Sequence, residues 1–101
     1  MDWKSKISTE LNRIHPGQNP GRTRTSARRI AGIALEEFYS LHGNDVIALL
    51  HKASQDPLLP PPVQEAARRL SARLTPEFTS PSTDPVGDAK TVVDFVKEKT
   101  Q

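Results

Sequence analysis

The chain is predicted to fold as an all-α protein, a compact array of four to five helices, and three observations point there. Apolar residues recur at spacings of three and four along most of the chain, while no run alternates strictly between flanking turns as a strand would. Each periodic stretch is bounded by a capping residue, a proline or a glycine. Only 35% of the 101 residues are apolar and five percent are aromatic, so the core has to come from Leu, Ile, Val and Ala. A length near that of one domain predicts a single unit over 1–101, able to bury roughly 60–70% of its unfolded surface.

In the first element, 2–14, Trp3, Ile7, Leu11 and Ile14 form an amphipathic stripe, with Ser8, Thr9 and Glu10 between them expected to face water. His15-Pro16-Gly17 stops it, because the residue before proline leaves the α region. Residues 15–24 hold two Pro-Gly pairs and read as a loop. The second helix, 26–42, is capped by Thr25 or Ser26. Ala27, Ile30, Ile33, Ala34, Phe38 and Leu41 share its core side, Leu35 stands at the margin, and Gly43 stops it. The third, 44–55, opens on Asn44 or Asp45; its near all-round apolarity predicts a central position.

Leu58 and Leu59 precede three prolines and are expected to pin that loop to the core. Pro62 then suits the first turn of a fourth helix, 62–74, striped by Val63, Ala66, Ala67, Leu70 and Leu74. Residues 75–87, rich in Pro, Ser and Thr, read as a linker or strap. Asp88 then caps a last helix, 88–99, whose valines and Thr91 lower helix propensity and so call for packing support.

The formal net charge is +2 and unevenly spread: seven Lys/Arg against four Asp/Glu in 1–43, four against three in 44–74, three against five in 75–101. Arg13 to Arg29 contains five arginines and no acid, and it leads into a helix, where free N–H groups favour an anion. Guanidinium forks suit phosphate. Arg22, Arg24, Arg28 and Arg29, joined by Arg69 and Arg73 of the fourth helix, are therefore candidates for an anion or nucleic-acid site. The alternative is a solvated loop whose arginines pair with Glu36, Glu37 or the acidic C-terminal third, and an ordinary Glu65–Arg69 ion pair. Neither a phosphate-loop pattern nor interleaved aromatics occurs in the stretch. A helix-turn-helix is rejected, since its recognition helix would present Val46, Ile47, Leu49 and Leu50 to bases.

Enzymatic chemistry finds little to stand on. The chain has no cysteine, no HExxH and no GxSxG. His15, His42 and His51 are scattered, and Glu36 and Glu37, adjacent on a helix, point about 100° apart. No catalytic, cofactor-binding or metal-ligating residue is assigned and no cofactor is expected. An apolar surplus, in contrast, predicts an interface from Trp3, Ile7, Leu11, Leu58 and Leu59. The expected function is a non-enzymatic interaction module that binds another protein or itself through this apolar face, with arginines at the rim. The alternative is nucleic-acid or phosphate-backbone binding through 13–29. Without cysteine, a signal-peptide pattern or about 18 consecutive apolar residues, the expected location is the cytoplasm, with no membrane contact.

Overall fold

Five helices form among the described residues: α1 (Trp3–Asn12), α2 (Pro20–Tyr39), α3 (Val46–Ser54), α4 (Pro61–Ser71) and α5 (Pro85–Lys99). The structure, a computed structural model, describes residues 2–14, 17, 19–41, 43, 45–72 and 84–100, and among these there is no strand. His15, His42, Asn44, Arg73, Leu74 and 75–83 of the expected linker lie outside the described residues.

Local chemistry accounts for the helix starts. Asp2 Oδ1 accepts the Ser5 N–H at 2.7 Å, Asn19 Oδ1 that of Gly21 at 2.7 Å, Asp45 Oδ1 that of Ile47 at 2.7 Å and Asp84 Oδ1 that of Gly87 at 3.0 Å. Two starts differ from expectation. α2 begins at Pro20, six residues before 26, because proline in the first turn has no N–H to leave unpaired and Asn19 caps behind it. The Pro-Gly pair that reads as a turn thus opens a helix. For the same reason α5 begins at Pro85 behind Asp84, so 85–87 are helical and Asp88 lies inside the first turn. α2 also ends earlier than 42: Ser40, at φ 55°, adopts the left-handed conformation and its N–H donates the closing hydrogen bonds to the Glu36 and Glu37 carbonyls.

α2 is the centre of the array and touches each of the other four helices. The central position expected of the third helix therefore belongs to the second. Ala27, Ile30, Ala31, Ala34 and Leu35 of α2 are buried together with Leu49, Leu50 and Ala53 of α3, Val63, Ala66, Ala67 and Leu70 of α4, and the Val92, Val93, Phe95 and Val96 face of α5. Alanines on α2 and α4 let the helices approach closely. Gly32 extends this to α3: a Cβ there would stand 3.0 Å from a Val46 methyl. α1 covers one side with Ile7 buried and Trp3, Leu11 and Ile14 half-buried against the core.

Between α3 and α4 the two leucines separate. Leu59 is buried, while Leu58 is 84% exposed. Asp56 explains the split: its side chain accepts the Leu58 N–H and its carbonyl the Leu59 N–H, forming a turn that sends the neighbouring side chains apart. The same carboxylate accepts the Tyr39 hydroxyl at 2.7 Å, tying this turn to the end of α2, and Lys52 Nζ lies 5.0 Å from the Tyr39 ring centre.

Burial, and then the hydrogen bond to Asp56, push the Tyr39 hydroxyl above its ordinary value of 10.0; that bond also holds Asp56 below the usual carboxylate range. A group whose pKa is raised by folding contributes stability that is complete below its unfolded pKa and is lost as the pH rises beyond it. The melting temperature is therefore expected to fall above pH 10.0, and to fall less steeply in Tyr39→Phe. Because Tyr39 is the chain's single tyrosine, phenolate absorbance reads it directly. Ionisation of the native protein at the ordinary value would refute the assignment.

Candidate functional site

The end of α1 and the first half of α2 border an open hollow of about 590 Å³, lined by Arg13, Asn19, Gly21, Arg22, Thr25, Ser26 and Arg29. The antiparallel return of the chain carries Arg13 back to this position. On α2, Arg22, Ser26 and Arg29 follow at intervals of four and three and share one face of the helix. Local backbone polarity is already engaged. Asn19 takes the Gly21 N–H through its side chain and those of Arg22 and Thr23 through its carbonyl, at 3.0 and 3.1 Å. The Thr25 hydroxyl donates to the Gly21 carbonyl at 2.9 Å. The donors left to the hollow are the guanidiniums, the Ser26 hydroxyl and the Asn19 carboxamide nitrogen.

Beside the hollow lies Glu10. It is only 9% exposed, contrary to the solvent-facing position expected of it. Its Oε1 accepts from Arg13 Nη1 at 3.0 Å and stands 3.9 Å from Arg29 Nη1, while its buried Oε2 has no partner among the described residues. The two arginines are held from behind by one carboxylate, yet their side chains stay 62% and 58% exposed. Arg22 is exposed too.

Of the six arginines singled out in the sequence, Arg73 lies outside the described residues and the other five do not converge. Arg22 and Arg29 line the hollow. Arg28 lies across α2, where Nε donates to the Leu70 carbonyl at 2.6 Å and Nη2 to that of Ala72 at 3.0 Å, so it caps the end of α4. Burial, then the charge of Arg24, lower its pKa. Arg69 grips Asp88 with two bonds, 3.1 and 2.8 Å, which clasp α4 to α5 and raise the arginine's pKa. Glu65 pairs with Arg68 and not with Arg69 through a direct hydrogen bond. Arg24 is half-buried and lines no hollow described here.

Arg13 and Ser26 join the lining; both fall within the 13–29 stretch but neither is among the residues singled out in the sequence. The antiparallel packing of α1 on α2 brings them together, and a short connection between two amphipathic segments is its only sequence signal.

The apolar candidates divide as well. Ile7 and Leu59 are each 3% exposed and belong to the core, Trp3 and Leu11 pack against it, and Leu58 alone projects into solvent. A second hollow, about 630 Å³, mixes Arg28, Asp45 and His51 with Ile47, Ser71 and Ala72. Its arginine is already engaged by two carbonyls. No group of three acids or histidines suited to a metal ion occurs among the described residues, and no helix among them is long and apolar enough to cross a membrane. No protein-family model, curated protein or solved structure matches the chain.

Proposed function

We propose that this chain is a non-enzymatic binding module that takes an anionic partner in the hollow between Arg13, Arg22 and Arg29. The observation that carries this reading is the lining itself: three largely exposed guanidiniums from two elements, a free hydroxyl and no carboxylate facing in. Arginine stays protonated at any physiological pH, so these side chains bind and orient an anion and do not shuttle protons. The lack of cysteine supports a reducing compartment such as the cytoplasm.

Titration with inorganic tripolyphosphate at low salt, followed by amide chemical shifts, tests the reading. Saturable shifts centred on Gly21, Arg22 and Ser26 are expected. Shifts that do not saturate, or that centre on α4 and α5, would overturn it.

A second reading, docking of a protein or of a second copy through apolar side chains, is favoured by Leu58 and by Leu41, 84% and 39% exposed. Each lies two residues from a partner in the Tyr39–Asp56 bond. Spectra of the free protein at two concentrations read it, since self-association moves the signals around these leucines and leaves those of α1 in place.

A further inference from the structure

We infer that the anion taken by this hollow is the phosphodiester backbone of a nucleic acid, held through its phosphates without reading of the bases. This rests on the anion-binding reading above and names its partner.

No lining residue is aromatic or aliphatic. The buried centre of a protein–protein interface is more apolar than the rest of the surface, and its arginines work beside aromatic side chains, which this open hollow lacks. Nucleic-acid interfaces are polar and positively charged. A lone phosphate ion is best held by a close cradle of backbone N–H groups; here Asn19 already takes three of them, and a space of about 590 Å³ is far wider than one phosphate. The cations are spread out. Arg22 and Arg29 lie two helical turns apart, about 10.5 Å along the axis, with Arg13 across from them. A duplex carries one negative charge for about every 1.7 Å of its length, so cations spaced in this way can each meet a phosphate.

The same side chains say what is not read. The hollow has no ring on which a base stacks, and its one carboxamide, Asn19, has its Oδ1 engaged by the Gly21 N–H and so does not offer an open donor–acceptor pair to a base edge. Binding is therefore indifferent to sequence and strongly dependent on salt. Three phosphate contacts correspond to a slope of about −2.7 in log affinity against log salt, a loss of roughly 40-fold between 50 and 200 mM.

The test is fluorescence anisotropy of a labelled mixed-sequence DNA duplex of about two helical turns, over that salt range, with a polyglutamate peptide of equal charge in parallel. The wild-type protein should bind the duplex with a slope near −2.7 and prefer it to polyglutamate, while Arg22→Glu/Arg29→Glu should lose at least tenfold in affinity. Arg68→Glu/Lys90→Glu makes the same change in net charge at exposed positions on α4 and α5 and should keep most of the binding. Circular dichroism checks that both variants are folded. Binding of polyglutamate as tight as that of DNA would leave the anion-binding reading standing and sink this one. Binding of neither probe, or equal losses in the two double variants, would overturn both.

Discussion

Replacing Leu35 by alanine is expected to lower the free energy of unfolding by about 2–5 kcal/mol, whereas the same change at Leu41 should cost below about 1 kcal/mol. The helical wheel of α2 alone gives the reverse order, with Leu41 on the core side and Leu35 at its edge. In the folded chain Leu35 is fully buried, while Leu41 lies beyond the end of the helix at Ser40 and is 39% exposed. Truncating Leu35 removes transfer free energy and leaves a cavity in the helix that contacts all the others, so the packing around it has little freedom to collapse. Urea unfolding followed by the fluorescence of Trp3, the only tryptophan, measures both changes. Equal losses at the two positions would contradict the placement of α2 at the centre of the core.

Arg28→Met is expected to reduce stability by about 1.5–3 kcal/mol, the range for hydrogen bonds made by charged groups. It should leave binding of tripolyphosphate within about twofold of the wild type, a change of under about 0.5 kcal/mol. Methionine keeps much of the apolar stem, so the lost contribution is the pair of bonds to the Leu70 and Ala72 carbonyls. With the guanidinium gone, those carbonyls at the end of α4 must find water or remain unpaired. Arg22 should behave in the opposite way, with changed binding and nearly unchanged stability, because it is exposed and has no ion pair among the described residues. Similar behaviour of the two arginines would mean that Arg28 and the hollow act as one site. Chemical denaturation and the tripolyphosphate titration on the same samples separate the cases.

The all-α class, the number of helices and most of the core stripes were legible in the chain because they depend on neighbours three and four residues apart. Helix ends were less legible. Pro20-Gly21 and Pro85-Val86-Gly87 combine residues that punctuate turns with residues that open helices, and what decides between the two is a capping side chain just upstream, Asn19 or Asp84. The fate of each charge was least legible. Glu10 falls between the stripe positions of α1, yet it is buried against α2 because arginines on both sides offset its desolvation.

Periodicity and capping, properties of short windows, thus carry the helices, the aliphatic composition of the core and the concentration of arginine ahead of and within α2. Which helix is central, which of two adjacent leucines is buried and which arginines remain open to solvent are decided by contacts across many residues. Arg28 meets the end of α4 more than forty positions away, and Arg69 meets Asp88 nineteen positions on. An arginine has the same charge and reach in every one of these settings. Only the packing of the helices determines whether that charge meets a carbonyl, a carboxylate or open solvent.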